Sequence, residues 1–541
     1  MSERRTVVIL RVAPLLFVLA ALAVVRPFGD FPLNDDWAYA SSVRVLLDDG
    51  RLQLSDWVPA STVFHILWGS AWSYATGEAH LALRLSVVFW LALGACLLAA
   101  TARRLGAKEG VAALSGLTFA ASPLALSFGF TYHTDVPFIS LGIATLYTLL
   151  RYDDEGTLGW LWLSSACAAA AITTRQIGVG FEAGIIGLLL WRRQRAAAPW
   201  LAALVLPVSA TGVYLAWIEW LHEATWAMDA YLLEDSMTYL AQPSVWIPET
   251  LRRTLAASAY AAVFALPLVV LSRPRWRSPQ TLALALGVAA TWFAFGNWPY
   301  FANAFGPRGL GTVTVHASQA KASGFFGWEA FALGISGAAW CSLAWLLSPR
   351  HAAGGGARKR EQAWLYGGTW LLVFALMLPK STFFDRYALV LLPPALIVAS
   401  LRAEATHRGR QATALASWVL LASISLLGTI DYHAWNEAKW ALARRALARG
   451  VAPGDVAAGV DWDAYWTYEP NMTRLKATRP LNQIGRWDWQ QMNRRGSLVA
   501  FDQRHGAWVR VVDEQPYRTP LSPSGQAVLY RVERPTGVTP R

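Results

Sequence analysis

Three short polar motifs in this sequence group side chains that are suited to acid–base chemistry and anion binding. They are Asn34–Asp35–Asp36–Trp37–Ala38–Tyr39–Ala40, Tyr132–His133–Thr134–Asp135–Val136–Pro137 and Lys380–Ser381–Thr382–Phe383–Phe384–Asp385–Arg386–Tyr387. Carboxylates serve as general bases, and Arg or Lys side chains hold phosphate groups. If the motifs come together, they predict a site that moves a proton and binds an anion.

Each motif also has a simpler structural interpretation. The Asp35–Asp36 pair is typical of a solvated helix N-terminus, and Asp135, shortly before a proline, is typical of a helix cap. Asp385 would only neutralise a neighbouring cation. Further candidates for the same pocket are Tyr39, His65, Tyr132, His133 and Arg175. For His65, a structural histidine is the simpler interpretation.

The composition indicates an integral membrane protein. Of the 541 residues, 55% are hydrophobic and 15% are charged, whereas an ordinary soluble domain is about 25% charged. This apolar excess is too large for one soluble core, so we expect most of it to face lipid or other helices. The net charge of +12 is expected in cytoplasmic loops rather than on a nucleic-acid-binding surface.

Apolar runs predict about 13 transmembrane helices and therefore a mainly α-helical fold. The runs lie near residues 7–25, 84–101, 111–128, 136–150, 159–174, 177–191, 199–219, 254–271, 280–296, 329–347, 363–378, 388–401 and 411–430. Each is near the length that a tilted helix needs to span the bilayer. The loop 27–83 contains two half-apolar stretches, 36–47 and 61–75, which predict interfacial helices because they are too short and too polar to cross.

The loop charges predict the orientation of these helices. With the N-terminus in the cytoplasm, the inner loops include the basic stretches 103–108, 192–195, 273–277, 350–360 and 402–410. This distribution follows the positive-inside rule. The inner loop 151–155 is acidic, but it does not count against this orientation, because acidic residues contribute little to the rule. All three polar motifs are then expected on the outer face of a multi-pass protein in the cell (inner or plasma) membrane.

Hydropathy falls after residue 430, which predicts two domains. Residues 1–430 would form the transmembrane domain, and residues 431–541 a small extracytoplasmic α/β domain. In this tail, 435–449 has the spacing of a helix, and 497–502, 507–513 and 526–533 are rich in strand-forming residues between turns.

The order of the motifs resembles that of the GT-C superfamily of polytopic glycosyltransferases. The branch in question contains the bacterial and fungal protein O-mannosyltransferases and the lipid A aminoarabinose transferase. The resemblance covers about residues 7–430. It rests on Asp35–Asp36 followed by Tyr39–Ala40 in the first outer loop, on Asp135 followed closely by a proline in the second, and on Arg386–Tyr387 before a Leu- and Pro-rich helix.

The resemblance implies a hexosyl- or pentosyltransferase that takes a sugar from a polyprenyl-phosphate donor. The acceptor would be an extracytoplasmic protein, lipid or polysaccharide. In an inverting transfer a carboxylate deprotonates the acceptor while cations stabilise the leaving phosphate. We expect Asp35 to be the base, with Asp36 as the first substitute, and Asp135 to orient the acceptor or a cation. Arg386, Tyr387 and Lys380 would bind the donor phosphate and lipid.

No cofactor is expected, because the sugar–phosphate bond already stores the energy for transfer. A divalent ion held by Asp35, Asp36 and Asp135 is the alternative. Two other classes of protein stay open from the sequence. One is a transporter or flippase of lipid-linked glycans, which would carry polar residues near the middle of its spans. The other is a non-catalytic partner in envelope assembly.

Overall fold

The chain is mainly α-helical throughout the part that the computed structural model describes. This part comprises residues 3–58, 61–77, 80–221, 225–227, 239–272, 304–306, 309–310, 356–379, 383–403, 408–501 and 509–532. The predicted spans 280–296 and 329–347 lie outside the described residues, and so does Lys380.

Ten of the helices belong to the first half of the described chain. They are α1 (Glu3–Val25), α2 (Asp36–Asp49), α3 (Val63–Thr76), α4 (His80–Arg104), α5 (Glu109–Ala121), α6 (Pro123–Gly129), α7 (Asp135–Glu155), α8 (Leu158–Ile172), α9 (Val179–Trp191) and α10 (Ala197–Leu221). The remaining α-helices are α11 (Pro243–Val269), α12 (Ala357–Ala375), α13 (Leu392–Arg402), α14 (Arg408–Ala448), α15 (Val460–Thr478) and α16 (Asp488–Gln491).

Several of these helices are suited to a bilayer. Within the described residues, the segments Val7–Val25, His80–Arg104, Ala197–Glu219 and Arg408–Ala448 are long and apolar enough to cross a membrane. Helices α5 and α6 form a further span if they are taken together, although they meet at an angle of 62°. The bend coincides with Ser122–Pro123, since proline cannot donate the backbone hydrogen bond that would continue α5. The total of 13 spans stays a prediction.

The loop between the first two spans folds as the sequence predicts, with two short helices. Helices α2 and α3 coincide with the predicted interfacial stretches 36–47 and 61–75. The buried Arg84 of α4 fixes the start of this loop, because its guanidinium donates hydrogen bonds to the carbonyl oxygens of Pro27, Gly29 and Phe31. These hydrogen bonds fix the position of the backbone just before the first polar motif.

An ion-pair network joins the helices at the opposite end of the bundle from the first polar motif. The acidic stretch at the end of α7 lies at its centre: Asp153 pairs with Arg192, and Asp154 pairs with Arg104 and Lys359. The 21 residues of α7 give it a length of about 30 Å, which is the thickness of a bilayer's hydrocarbon core. The acidic stretch 151–155, which the sequence predicts as an inner loop, is instead the end of α7, and it binds the neighbouring basic segments.

The C-terminal part contains the predicted mixture of helices and strands. Strands β3 (Val456–Ala457), β4 (Ser497–Phe501), β5 (Val509–Thr519) and β6 (Ser522–Val532) form a sheet in the order β3-β4-β6-β5. Strand β3 is parallel to β4, and the other pairs are antiparallel. A separate pair, β1 (Phe305–Gly306) and β2 (Gly309–Leu310), lies earlier in the chain. A sheet is thus present in the tail, whereas its status as a domain stays a prediction.

Helix α14 differs from the sequence prediction in its length. The sequence predicts a span at 411–430 and a separate helix at 435–449, but α14 runs unbroken for 41 residues. At about 60 Å it is twice as long as the bilayer core is thick. Its second half packs on β5 and β6 and buries polar residues such as Asp431 and Lys439. The predicted boundary at residue 430 therefore falls inside one continuous helix.

Candidate active site

The first polar motif places two adjacent carboxylates in different environments at the start of α2. Asn34 has a positive φ of 54°, a conformation that Asn tolerates better than most residues. Asp35 occupies the N-cap position but makes no capping hydrogen bond through its side chain. Instead, its Oδ1 accepts a hydrogen bond of 3.1 Å from the indole Nε1 of Trp57. Asp35 therefore lies at a helix N-terminus, as the simpler interpretation expects, but its carboxylate does not cap the helix.

Asp36 points into the protein, whereas Asp35 keeps contact with solvent. The side chain of Asp36 is 1% exposed and that of Asp35 is 23% exposed. Burial raises the pKa of Asp36 above its ordinary value. Its Oδ1 has no hydrogen-bond partner among the described residues and lies 3.9 Å from His133 Nε2.

His133 connects the first motif to the second. The side-chain nitrogen of Asn34 lies 3.2 Å from His133 Nε2, and His133 Nδ1 lies 3.5 Å from the carboxylate of Asp135. His133 Nδ1 also lies 3.5 Å from Arg386 Nη1, so the ring contacts residues of all three motifs. The buried imidazole thus links the first motif to the second through its contacts with Asn34 and Asp135.

Asp135 lies between two guanidinium groups. Its Oδ1 is 2.9 Å from Arg175 Nη2, and its Oδ2 is 4.0 Å from Arg386 Nε. Arg175 also donates hydrogen bonds of 3.0 and 2.8 Å to the hydroxyl of Thr134. Asp135 is the first residue of α7, but its carboxylate binds Arg175, which lies beyond the end of α8, rather than capping its own helix.

Arg386 completes the cluster from the third motif. Its Nη1 lies 3.9 Å from Asp35 Oδ2, so that Asp35, Asp135 and Arg386 meet although they are distant in sequence. The guanidinium Nε is buried and makes no hydrogen bond to any described residue. Aromatic rings of Phe128, Phe384 and Tyr387 surround the guanidinium with centroids at 5.8, 5.0 and 5.8 Å. Such rings favour a cation and shield it from water.

Asp385 does not neutralise the side chain of Arg386, contrary to the simpler interpretation. Its carboxylate is buried and accepts backbone N–H hydrogen bonds from Ala304, Phe305 and Arg386, at 2.9, 2.7 and 2.7 Å. Burial raises the pKa of Asp385 to about 6 despite these bonds. Asp385 therefore anchors residues 304–305 against the short 3-10 helix Asp385–Val390, on which Arg386 lies.

The remaining candidates form an aromatic wall beside the charged cluster. His65 stacks on Tyr132 with centroids 4.1 Å apart, and the Tyr132 hydroxyl donates a hydrogen bond of 2.8 Å to the His65 carbonyl. Burial lowers the pKa of His65 to about 3, so this ring is neutral. Tyr39 meets the rings of His65 and His133 edge to face. The arrangement supports the structural interpretation of His65.

Four residues that support the site were not among the predicted site residues. They are Asn34, Trp57, Thr134 and Asp385, of which all but Trp57 belong to the three polar motifs. Trp57 lies outside all three motifs, and nothing local in the sequence indicates its contact with Asp35. In the parts of the chain that the structure describes, no three His, Cys, Asp or Glu side chains are arranged to hold a metal ion.

Comparisons with known proteins give one match by family model and several by structure. The model of the dolichyl-phosphate-mannose-protein mannosyltransferase family matches residues 64–217. A comparison with curated protein sequences gives no significant match.

Among solved structures, ArnT from Cupriavidus metallidurans bound to undecaprenyl phosphate is 15% identical over 100% of both chains, with a TM-score of 0.40. The S. cerevisiae protein O-mannosyltransferase complex bound to the sugar donor is 15% identical over 43% of this chain and 38% of that chain, with a TM-score of 0.31. The oligosaccharyltransferase AglB from Archaeoglobus fulgidus is 10% identical over 87% of this chain and 60% of that chain, with a TM-score of 0.36.

The matched segment begins in α3, contains the whole second polar motif and ends in α10. Over these residues the family model confirms the resemblance to GT-C glycosyltransferases of the protein O-mannosyltransferase branch.

Proposed function

We propose that this protein is a membrane glycosyltransferase that moves a sugar from a polyprenyl-phosphate donor to a hydroxyl-bearing acceptor. The observation that supports this proposal most directly is the cluster of Asp35, Asp135, Arg175 and Arg386. It combines one partly solvated carboxylate with two guanidinium groups, and the reaction needs both kinds of group. The acceptor is an extracytoplasmic protein, lipid or polysaccharide, and the transferred sugar is a hexose or a pentose.

Asp35 is the general base in this proposal. Of the three acidic candidates it has the most accessible carboxylate, with 23% of its side chain exposed against 1% for Asp36 and 3% for Asp135. The indole of Trp57 occupies Oδ1, which leaves Oδ2 for the acceptor hydroxyl. A base must reach the proton that it removes, and accessibility therefore favours Asp35 over its neighbour. Asp36 then serves to hold His133, and Asp135 to orient the two guanidinium groups.

Arg386 and Arg175 bind the donor phosphate. The ion pairs of Arg386 are long, at 3.9 and 4.0 Å, and its Nε has no hydrogen-bond partner among the described residues. A guanidinium that is shielded from water and has a donor without a partner binds a phosphate strongly, through two parallel hydrogen bonds. Tyr387 lies beside both cations, since its ring centroid is 5.9 Å from Arg175 Cζ. Lys380, outside the described residues, is proposed to contact the same phosphate.

The chemical step follows from these positions. Asp35 removes the proton from the acceptor hydroxyl while the acceptor oxygen attacks the anomeric carbon, and the bond from that carbon to the phosphate oxygen breaks. The leaving phosphate keeps the electron pair, and Arg386 with Arg175 neutralises its charge. Attack on the face opposite the phosphate inverts the anomeric configuration. The step uses no cofactor in this proposal, so transfer is expected to continue when a chelator is present.

The site is proposed to lie on the non-cytoplasmic side of the cell membrane. At one end of α7, Asp135 belongs to the site, and at the other end Asp153 pairs with Arg192 of a basic loop. Because basic loops mark the cytoplasmic side, the site and the C-terminal residues are assigned to the opposite side, with the N-terminus in the cytoplasm.

Sugar transfer by Asp35→Asn protein tests the proposal. The assay uses full-length protein in lipid nanodiscs, mannose and arabinose linked to undecaprenyl phosphate, and an envelope extract from a strain lacking the gene as the acceptor. We expect Asp35→Asn to lower kcat by at least about 100-fold, because general-base catalysis contributes about 10²–10⁴. Asp49→Asn, which removes the same charge at the exposed far end of α2, is the matched control and is expected to keep full activity.

Binding and inhibitor measurements complete the design. Asp35→Asn protein is expected to bind undecaprenyl phosphate, the ligand of the ArnT structure, as the wild type does, and EDTA is expected to leave transfer unchanged. Full transfer by both Asp35→Asn and Asp36→Asn proteins would refute the proposal. If the same strain then failed to move lipid-linked sugar across its membrane, the transporter interpretation would replace it.

A further inference from the structure

Trp57 connects the proposed base to the C-terminal part of the chain. It lies in the segment between α2 and α3, 22 residues after Asp35, and its indole Nε1 donates the 3.1 Å hydrogen bond to Asp35 Oδ1. The Trp57 side chain is buried. It is not one of the groups that the proposed reaction uses, and the three polar motifs do not include it.

C-terminal side chains enclose the Trp57 ring. The centroids of Tyr468 on α15 and of Trp487 and Trp489 at α16 lie 5.8, 5.3 and 6.3 Å from it, all in edge-to-face geometry. The guanidinium of Arg486 lies over the ring at 4.7 Å. We call these four residues the aromatic clamp. Edge-to-face pairs and a stacked guanidinium restrict the orientation of a ring more than apolar packing alone.

The residues next to Trp57 are held by the same C-terminal helix. The hydroxyl of Ser55 donates a hydrogen bond of 3.4 Å to Glu469, and Asp56 forms an ion pair with Lys476. Both partners lie on α15. Trp37, which follows Asp36 on α2, also contacts Tyr468, with centroids 4.8 Å apart. The C-terminal part therefore fixes the backbone and the ring of Trp57 together with the start of α2.

We propose that Trp57 is a positioning residue through which the aromatic clamp holds the Asp35 carboxylate in its reactive orientation. The proposal rests on the proposed role of Asp35 as the base. The indole fixes one carboxylate oxygen and thereby directs the other towards Arg386, 3.9 Å away. The C-terminal residues thus contribute to the reaction without touching the substrate.

The test compares two substitutions that remove the same kind of hydrogen bond. Trp57→Phe keeps an aromatic ring in the clamp but loses the donor to Asp35. Trp440→Phe is the matched control, since the buried Trp440 donates a 3.1 Å hydrogen bond to Asp461, which also pairs with Lys439. The two full-length variants are compared in nanodiscs with undecaprenyl-linked mannose and arabinose. The readouts are kcat, the KM for the donor and the melting temperature.

We expect Trp57→Phe to lower kcat about 10- to 100-fold, because a small misplacement of a reacting group has this effect. The KM for the donor is expected to change less than about twofold, since Arg386 and Arg175 stay in place. Trp440→Phe is expected to keep kcat within about twofold even if its melting temperature falls. Tyr468→Leu, which loosens the clamp but keeps Trp57, is expected to lower kcat in the same direction as Trp57→Phe.

Two outcomes would overturn the inference. One is a Trp57→Phe protein with wild-type kcat, and the other is a loss of kcat that Trp440→Phe shares in proportion to its loss of stability. If Asp35→Asn lowers kcat as expected while Trp57→Phe keeps the wild-type kcat, only the positioning role fails and the proposed function stands. If Asp35→Asn and Asp36→Asn both transfer sugar normally, the proposed function fails first.

Discussion

Replacing Asp385 tests whether this carboxylate anchors the segment that carries Arg386. Its two oxygens accept three backbone N–H groups, with Oδ2 shared by Ala304 and Phe305 and Oδ1 bonded to Arg386. Asp385→Ala removes all three acceptors and leaves buried donors without partners. Asp385→Asn can keep the two bonds to its oxygen and loses the bond to the Arg386 N–H.

The expected losses of stability follow from these contacts. An unsatisfied buried N–H costs about 1–3 kcal/mol, so the three donors that Asp385→Ala leaves without an acceptor should lower the free energy of unfolding by about 3–9 kcal/mol, before the gain from removing the buried charge. Asp385→Asn loses about 1–3 kcal/mol from one bond but removes a buried charge. Because burial raises the pKa of Asp385 from 3.8 to about 6, the ionised form costs about 3 kcal/mol. The Asn variant should therefore stay within about 2 kcal/mol of the wild type at pH 7.5.

The same pKa gives the sign of a pH dependence. Between pH 4 and pH 6 the native carboxyl keeps a proton that the unfolded chain has released, so wild-type stability falls as the pH rises through this window. Burial also raises the pKa of Asp463 to about 6, which contributes in the same direction, so Asp385→Asn should show a smaller decrease than the wild type. Thermal melting of the full-length protein in detergent across this pH range measures it. Equal stability of the Ala and Asn variants, or a decrease in Asp385→Asn as large as in the wild type, would refute the assignment.

Two further substitutions test other parts of the structure. Arg386→Lys should raise the KM for the undecaprenyl-linked donor at least about 10-fold, because Lys lacks the planar pair of donors that a phosphate binds; an unchanged KM in the nanodisc assay would contradict phosphate binding by Arg386. Asp153→Asn weakens the two hydrogen bonds of 2.8 and 3.0 Å from Arg192 and should cost about 1–3 kcal/mol of stability. Its kcat at low temperature should equal that of the wild type, and a loss of kcat at unchanged melting temperature would contradict a purely structural role.

Local sequence patterns were sufficient for the helices and strands that surround the site. The apolar runs correctly placed α1, α4 and α10, and the half-apolar stretches after the first span correctly placed α2 and α3. Such helices can be recognised from the hydrophobic periodicity of residues that lie within a few turns of one another. The same patterns divided α14 into two helices, because hydropathy falls at its middle while its backbone continues into a part of the protein that buries polar side chains.

The contacts within the site depend on residues that are far apart in the chain. The types of Asp35, Asp135 and Arg386 indicated the chemistry, but only the tertiary packing brings each carboxylate to within 4.0 Å of Arg386. From the sequence alone, Asp385 was expected to neutralise a neighbouring cation. In the structure its carboxylate instead binds backbone groups that include one 80 residues away. A buried carboxylate takes whichever donors packing places around it, and sequence order does not reveal these.

The amino-acid sequence by itself determined that the protein is a helical membrane protein and which side chains are chemically competent, because composition and residue type are local properties. Only the tertiary structure decided that one carboxylate of the Asp35–Asp36 pair is partly exposed while the other is buried, and that a tryptophan from the segment between α2 and α3 holds the partly exposed one. The physical reason is that burial and hydrogen-bond geometry are set by long-range packing, in which α15 and α16 contact a loop more than 400 residues earlier in the chain.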